Sequence, residues 1–209
     1  MRKKERALWA IATLKSLYPD AHCALHYDTP FQLLIATILS AQCTDERVNQ
    51  VTAILFEKYP TPEALANADL SILEQDVKPT GFYRNKALSI LETARVIVAE
   101  HGGITPNSIP ELTALRGVGR KTASVVMGNA YGHAEGVVVD THVGRISRRL
   151  GLTKQKQATK VEQDLMKCIP REEWVLFPHL MIAHGRAVCK SRKAACDRCE
   201  LAIHCPAII

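Results

Sequence analysis

The sequence predicts an all-α fold, and three observations support this prediction. Apolar side chains recur every three or four residues along most of the chain, which is the period of an amphipathic helix. Residues that cap helices stand at the start of several of these segments, and a glycine pair follows one of them. The only strand-like run, residues 137–139, has no obvious partner strand.

The first helix is predicted near the amino terminus, where Leu8, Ile11, Leu14 and Leu17 recur at helical spacing. A basic start followed by apolar residues also fits a secretory signal, but Lys15 interrupts the apolar run. We therefore expect an amphipathic helix built on these four apolar positions.

Two more helices are predicted before residue 60. The second of them follows Thr44 and Asp45, which are good capping residues. Their apolar positions are, in chain order, Leu33, Leu34, Ile38, Leu39, Val48, Val51, Leu55 and Tyr59.

The middle of the chain predicts three helices. The first carries apolar residues at Ala87, Leu88, Leu91, Ala94 and Val98, and Gly102-Gly103 closes it. Ser108 and Glu111 have capping-box spacing and open a short helix that ends near Arg116. The next helix starts at Val118 or Gly119 and extends to about Ala130.

A last long helix is predicted near the carboxyl terminus, although a proline inside a helix is a complication. Its positions are Trp174, Phe177, Leu180, Met181 and His184, and the proline is Pro178.

Length and charge set limits on the function. A chain of 209 residues buries enough surface for one large domain or two small ones. Lysine and arginine number 27 against 21 acidic residues, a net charge of +6, which modestly favours polyanionic partners. The apolar runs fall well short of the roughly 20 residues that a membrane span requires. We expect a cytoplasmic protein with no membrane partner.

Two glycines lie between the central helices, in the sequence LRGVGRKTA (residues 115–123). Gly117 and Gly119 allow the backbone to turn sharply and to approach another surface closely. The amides after the turn start a helix, a position that favours an anion such as a phosphate. An ordinary helix–helix turn with a glycine C-cap is the alternative. Leu115, Val118 and the Lys-Thr-Ala that follows resemble the helix-hairpin-helix motif of DNA-binding proteins, which favours phosphate binding.

Lys121 and Asp140 are the candidate catalytic residues. Lys121 falls in the first turn of a predicted helix, beside Arg120, where a cation is unfavourable by a few tenths to about 1 kcal/mol. Such a setting suits an amine that acts as a nucleophile. Asp140 precedes a further helix and is expected to cap it. A capping carboxylate stays ionised, so it also suits the stabilisation of a cationic transition state.

The seven cysteines are unevenly distributed, and four of them crowd into the tail as Cys189-x6-Cys196-x2-Cys199-x5-Cys205. This clustering predicts a metal centre. Structural zinc sites commonly pair two tight knuckles, whereas only the middle pair here is tight. The long outer loops favour a [4Fe-4S] cluster, with zinc as the alternative. The loop of Lys190, Arg192 and Lys193 is basic and could present charge to a nucleic-acid backbone.

These motifs together resemble the endonuclease III family of bifunctional DNA glycosylases and AP lyases. The similarity covers LRGVGRKTA, VVVDTHVGRISRRL (residues 137–150) and the cysteine spacing, and extends to LSAQCTDERVNQ (residues 39–50) and TGFYRNKA (residues 80–87). The resemblance implies a six-helix barrel domain over residues 22–132, with the hairpin at about 108–130. It also implies a second helical domain, from residues 1–21 and 133–209, that carries a [4Fe-4S] cluster.

The resemblance also assigns site residues. Lys121 matches the family's nucleophile, Asp140 its catalytic carboxylate, and the four tail cysteines its cluster ligands. Gln42 matches the residue that fills the gap left by a flipped nucleotide. Phe82 stands where an aliphatic wedge, often leucine, enters the opposite strand, so this chain departs from the family there.

The implied function is base-excision DNA repair. The enzyme would remove oxidised pyrimidines from duplex DNA and cleave the abasic site by β-elimination through a lysine Schiff base. We expect a nucleoid-associated monomer whose partner is double-stranded DNA with a damaged base or an abasic site. A related adenine glycosylase is one alternative, but it lacks the lysine found here at position 121. A non-catalytic DNA-binding or redox protein is another, and trapping of a covalent imine would separate these cases.

Overall fold

The computed structural model describes residues 1–207, and in this part of the chain every regular element is helical, which confirms the all-α prediction. The α-helices are, in chain order, α1 (Lys3–Leu17), α2 (Pro30–Leu39), α3 (Asp45–Lys58), α4 (Pro62–Ala66), α5 (Leu70–Val77), α6 (Tyr83–His101), α7 (Ile109–Ala114), α8 (Arg120–Tyr131), α9 (Thr141–Arg149), α10 (Ala158–Met166) and α11 (Leu176–Ala187). Short 3-10 helices span Lys78–Thr80, Arg171–Glu173, Cys196–Arg198 and Glu200–His204.

The chain divides into two compact units. The internal unit is Ala24–His133, and the terminal unit combines Met1–Cys23 with Ala134–Ile209. The internal unit contains α2 to α8, and the terminal unit contains α1 and α9 to α11. Residues 208–209, which the predicted second domain includes, lie outside the described residues.

Helix starts in the internal unit follow from capping side chains. Each of five residues accepts a hydrogen bond from a backbone amide in the first turn of the helix that follows it, which satisfies a donor that the helix leaves unpaired. These residues are Thr29, Thr44, Thr61, Asp69 and Ser108. Gly102 adopts the left-handed conformation and ends α6, as the glycine pair predicted.

The core of the internal unit lies around α6. This helix packs against α2, α4 and α5, while α8 packs against α2 and α7. Fully buried apolar side chains fill the space between them, and the largest are Leu33, Leu34, Ile35, Leu39, Leu55, Leu65, Leu73, Ile90, Leu91 and Ile97. The hairpin formed by α7 and α8 therefore lies on a packed support.

The core of the terminal unit lies between α11, α9 and α1. Phe177, Leu180 and Met181 of α11 are fully buried there with Ile146 of α9 and Leu14 of α1. Residues 137–139, the strand-like run, precede α9 without forming a strand. Cys189, Cys199 and Cys205 pack against this core from the carboxyl-terminal segment.

The first helix is present as predicted, but its buried face differs from the predicted one. Leu8 and Leu17 are both 42% exposed. Ala7 and Ala10 are buried instead, together with Ile11 and Leu14. Small side chains therefore form part of the contact face of α1, which the spacing of large apolar residues does not reveal.

Pro178 does not interrupt the last long helix. It is the third residue of α11, within the first turn, where a backbone N–H has no partner inside the helix. Trp174 lies before this helix, and its indole N–H donates to the carbonyl of Ile169 at 3.0 Å. Within residues 1–207, none of the helices combines the length and the apolar character that crossing a membrane requires.

Candidate active site and cysteine centre

The hairpin between α7 and α8 has the predicted limits to within two residues. Ser108 caps α7, and its hydroxyl lies 2.6 Å from the Glu111 carboxylate. Leu115 and Val118 are only 3% and 5% exposed, and the Val118 amide donates to the Leu115 carbonyl at 3.2 Å. These two side chains pack into the core and hold the turn there. A ligand at the turn would therefore contact the backbone of Leu115 and Val118 and not their side chains. Gly119 is the N-cap of α8.

The two hairpin glycines differ in whether the fold requires them. Gly117 has φ +75°, and a Cβ there would lie 2.9 Å from the Cβ of Ser89, so the fold itself requires glycine. Gly119 has an ordinary φ of −86°, and a Cβ there would meet nothing within 4 Å. Packing within the chain therefore does not require glycine at 119.

Two contacts attach the hairpin turn to α6. The Thr93 hydroxyl donates to the Arg116 carbonyl at 3.0 Å, and the Arg116 guanidinium pairs with Glu92 at 3.0 Å. Thr93 is fully buried, so its hydrogen bond is protected from water. The turn that presents the start of α8 is thus held by polar as well as apolar contacts.

Lys121 is exposed and is the second residue of α8. No side chain caps this helix, because its N-cap is glycine. The first amides of a helix have no partner within it, so this end of α8 presents hydrogen-bond donors and the positive end of the helix dipole. An anion such as a phosphate would be stabilised beside the Lys121 amine.

Asp140 belongs to the terminal unit, where it is the N-cap of α9 as predicted. Its carboxylate accepts a hydrogen bond from the Val143 amide at 2.7 Å, and the residue is half-buried. Burial lowers the pKa of the neighbouring His142 and His179, although the Asp140 charge partly opposes this. Both imidazoles are therefore neutral near pH 7, and the local negative charge belongs to Asp140.

Gln42 and Phe82 share an unusual backbone. Within residues 1–207 they are the two non-glycine residues with positive φ, at 54° and 49°. Gln42 is exposed, and Phe82 is 66% exposed despite its aromatic ring. A left-handed conformation costs about 1–2 kcal/mol for a residue with a Cβ. Strain of this kind is found at functional positions, where neighbouring structure enforces it.

The four tail cysteines come from three short segments. Cys189 follows α11, Cys196 and Cys199 flank one turn of 3-10 helix, and Cys205 follows the next. All four line one cavity of about 240 Å³, whose wall includes Ile146, Leu150 and Leu201. Burial raises the pKa of the Cys199 thiol, and the other three sulfurs raise it further. Cys189, Cys199 and Cys205 are half-buried, whereas Cys196 is exposed.

Among residues 1–207, no three histidine, cysteine or acidic side chains lie close enough together to hold a single metal ion. The cavity lined by the four cysteines instead has room for a group of several atoms. None of the four cysteines forms a disulfide.

Arginines of α9 organise the segment that begins at Cys189. Arg149 donates to the Cys189 sulfur at 3.2 Å and to the carbonyls of Lys190 at 2.8 Å and Ser191 at 2.9 Å. Arg145 donates to the Cys189 carbonyl at 2.9 Å. Lys190, Arg192 and Lys193 are exposed on this loop. The backbone of the basic loop is thus held in place, while its charged side chains remain exposed to solvent.

Sequence reasoning missed several residues around these sites. Arg145 and Arg149 stand within a quoted motif, and their spacing of four residues on one helix face was an available signal. His184 is 1% exposed and lines the cysteine cavity, with Nε2 3.6 Å from the Cys199 sulfur and Nδ1 3.3 Å from the Tyr18 hydroxyl. Lys86 is 6% exposed, and lysine is so rarely buried that no local pattern indicates it.

The chain is similar to known base-excision DNA repair proteins and, among them, to endonuclease III. A family model described as "HhH-GPD superfamily base excision DNA repair protein" matches residues 35–171. Endonuclease III of Synechocystis sp. is 53% identical over 204 residues, covering 98% of this chain and 93% of that protein. Endonuclease III of Escherichia coli K12 is 38% identical over 196 residues, covering 94% and 92%.

A solved structure gives the same result. The structure of a trapped endonuclease III–DNA covalent intermediate in an estranged-adenine complex superposes with a TM-score of 0.92 at 44% identity, covering 99% of this chain and 97% of that one. The chain belongs to the endonuclease III family. It is accordingly a base-excision repair enzyme, a DNA glycosylase and AP lyase.

Proposed function

We propose that Lys121 is the nucleophile of this enzyme, that Asp140 is its catalytic carboxylate, and that its substrates are oxidised pyrimidines and abasic sites in duplex DNA. The position of Lys121 carries the proposal, because the exposed amine stands at the uncapped start of α8 directly after the hairpin turn. A phosphate bound by that turn would place the backbone of a substrate strand beside the amine. A relative that was trapped covalently on DNA supports the same mechanism.

The DNA contacts proposed for the internal unit are the hairpin turn, Gln42 and Phe82. A base inside a duplex hides its glycosidic carbon, so the nucleotide must be extruded at a cost of a few kcal/mol. Phosphate contacts offset part of that cost. The exposed side chains of Gln42 and Phe82 would then occupy the vacated space. In the terminal unit, Lys190, Arg192 and Lys193 would add salt-dependent phosphate contacts.

The proposed chemistry begins with the neutral amine of Lys121. Its lone pair attacks C1′ of the extruded nucleotide, and the base leaves with the electrons of the glycosidic bond. The nitrogen loses a proton and the sugar opens, which forms an iminium between Lys121 and C1′. The iminium acidifies the C2′–H bond, so removal of that proton expels the 3′ phosphate by β-elimination. Water then hydrolyses the imine and regenerates the amine.

Asp140 has two compatible roles in this proposal. Its carboxylate caps α9 by accepting a hydrogen bond from the Val143 amide. A fixed negative charge stabilises the positive charge that develops on the sugar as the base departs. Burial lowers the pKa of His142 and of His179, so neither imidazole adds a positive charge beside Asp140 near pH 7.

We propose that Cys189, Cys196, Cys199 and Cys205 hold a [4Fe-4S] cluster. The cavity that all four cysteines line supports a bound group there, and the spacing of the cysteines favours this cluster over a single zinc ion. Such a cluster would be held by these four thiolates and would cross-link the carboxyl-terminal segment. Further proposals are that the enzyme acts as a monomer, that it is cytoplasmic and nucleoid-associated, and that the two predicted domains are a six-helix barrel and a cluster domain.

Borohydride trapping tests the proposal. Incubation with an abasic or thymine-glycol duplex and borohydride should yield a covalent protein–DNA complex, because hydride reduces the imine to a stable amine. Lys121→Gln should abolish the complex while leaving binding to an abasic-analogue duplex largely intact. The matched control is Lys154→Gln, which removes another exposed lysine and should trap normally. Normal trapping by Lys121→Gln would remove Lys121 from the mechanism.

A further inference from the structure

A buried lysine in the internal unit takes no part in the chemistry above. Lys86 lies in the first turn of α6 and is 6% exposed. Its ammonium donates to the carbonyl of Leu39 at 2.9 Å and to the carbonyl of Thr80 at 2.7 Å. Burying a charged group is expensive unless hydrogen bonds compensate it. Burial lowers the pKa of Lys86, so the site carries a cost that its two carbonyl contacts must justify.

The two carbonyls lie at the starts of two particular loops. Leu39 is the last residue of α2 and precedes Gln42 by three positions. Thr80 ends the 3-10 helix Lys78–Thr80 and precedes Phe82 by two positions. One ammonium therefore joins the segments that carry the exposed Gln42 and Phe82 side chains. The Lys86 backbone amide donates to the Phe82 carbonyl at 3.2 Å as the first hydrogen bond of α6, so Phe82 lies directly at the start of the helix that carries Lys86.

The two loops that Lys86 joins have strained backbones, which the Lys86 hydrogen bonds can help to maintain. Gln42 and Phe82 are the two non-glycine residues with positive φ within residues 1–207, and both are exposed. Their own side chains make no packing that explains this backbone, since Phe82 is 66% exposed. Strained conformations persist when the surroundings enforce them. Hydrogen bonds to the residues just before each loop restrict the freedom of the loop to relax.

We propose that Lys86 is a positioning residue that holds the Gln42 and Phe82 loops in register with each other, so that both side chains enter the duplex as one preformed wedge. This inference rests on the proposed function, in which Gln42 and Phe82 contact DNA. A rigid wedge lowers the ordering cost of base extrusion, because neither loop must be organised during binding. Lys86 would thus act on recognition of the damaged site and touch no DNA itself.

A purely structural role predicts a different outcome. In that case Lys86 only satisfies the last carbonyls of two helices, and its loss weakens the fold without regard to the two loops. A double-mutant cycle on DNA binding separates the two roles. If Lys86 positions Gln42 and Phe82, replacing Lys86 should have little effect on binding once those two side chains have been removed.

The experiment is a double-mutant cycle on binding to a duplex with a tetrahydrofuran abasic analogue. Lys86→Met, which keeps the length of the side chain and removes its donors, is combined with the pair Gln42→Ala and Phe82→Ala. In the parent background Lys86→Met should weaken binding about tenfold or more, and in the Gln42→Ala/Phe82→Ala background by less than about threefold. Fluorescence of 2-aminopurine opposite the analogue should show the same loss of insertion. Binding to undamaged duplex should be unchanged.

The matched control is Tyr131→Phe, which removes a 2.6 Å hydrogen bond to Thr105 in the same unit and should lower stability without changing affinity. If Lys86→Met does not fold, Lys86→Arg replaces it. Its larger planar guanidinium cannot keep both carbonyl contacts at their present distances, so a smaller loss with the same coupling is expected. Equal losses of affinity in the two backgrounds would overturn this inference and leave the proposed function intact. Full affinity of the Gln42→Ala/Phe82→Ala protein would instead refute the proposed DNA contacts of those residues, and the inference with them.

Discussion

Gly119→Asp separates folding from DNA binding in a single substitution. The position has an ordinary φ of −86°, and a Cβ there would meet nothing within 4 Å. Aspartate is also a better N-cap than glycine by a few tenths of a kcal/mol. The free energy of unfolding should therefore stay within about 0.5 kcal/mol of the parent value, or rise slightly.

The effect on binding should be large, because the same end of α8 is proposed to hold a phosphate. A carboxylate about 4 Å from a phosphate repels it by about 1 kcal/mol in water and about 4 kcal/mol at an effective dielectric near 20. Losing a backbone hydrogen bond to the charged phosphate costs a further 1.5–3 kcal/mol or so. The sum, about 2.5–7 kcal/mol, corresponds to an affinity loss of at least about 60-fold.

The assay is a fluorescence-anisotropy titration with an abasic-analogue duplex at several salt concentrations, after urea unfolding has established stability. Gly119→Asn is the matched control, since it has the same shape without the charge and should lose only the hydrogen-bond part, about 1.5–3 kcal/mol. Lys193→Ala should instead weaken binding moderately and reduce the salt slope by about one. Near-parent affinity of a folded Gly119→Asp protein would show that the turn is a connector between helices and nothing more.

Four other substitutions test separate parts of the structure. Gly117→Ala should destabilise the fold by about 2–5 kcal/mol in urea unfolding, from the left-handed backbone and the lack of space, and an unchanged midpoint would contradict this. Asp140→Asn should slow base release by about 100-fold or more in single-turnover assays, and an unchanged rate would leave Asp140 as a cap only. Burial lowers the pKa of His142 and His179, so the unfolded chain binds more protons in acid. The stability that they contribute is complete above about pH 6.5 and should fall as the pH drops towards their folded pKa, by up to about 1.4 kcal/mol per pH unit for each imidazole. His179→Gln should flatten that slope between pH 7.5 and 5.0, and a slope equal to the parent's would count against the assignment. The protein should be brown with about four irons per chain, and Cys199→Ser should lose them while a Cys168→Ala control keeps them; a colourless protein with one zinc would refute the cluster.

The helices of the internal unit could be predicted because their signals are local. Thr44 and Ser108 are capping residues in sequence and in structure, and Gly102 ends α6 where the glycine pair placed it. A capping hydrogen bond joins residues two or three positions apart, so it forms wherever the residues occur in that order. Distant parts of the chain hardly influence it.

The contact face of α1 was predicted correctly at Ile11 and Leu14 and wrongly at Leu8 and Leu17, and the geometry of the helix explains why. Leu8, Ile11, Leu14 and Leu17 are spaced by three residues, and each such step falls short of a full turn of 3.6 residues. Over nine residues the shortfall amounts to about half a turn, so Leu8 and Leu17 cannot share one face. The structure buries Ala7 and Ala10 beside Ile11 and Leu14 instead.

The assignments of Lys121, Asp140 and the four cysteines came from motifs whose residues are close in sequence. A turn followed by a helix start places Lys121, and a cap places Asp140. Their roles stay predictions that trapping and kinetics will test. The identity of the cofactor is a prediction of the same kind, which now also has the support of a shared cavity.

What the amino-acid order determines here is local: the helices with their caps, the glycine turn, and four thiols within 17 residues. Tertiary structure decided which side chains those elements bury and which long-range contacts they make. Arg149 reaches Lys190 across 41 positions of sequence, and Lys86 reaches Leu39 across 47. No periodicity marks such pairs, because a buried hydrogen bond depends on how separate helices pack and not on the residues beside it in the chain. The order of residues alone therefore points to the chemistry, whereas packing decides which residues support it.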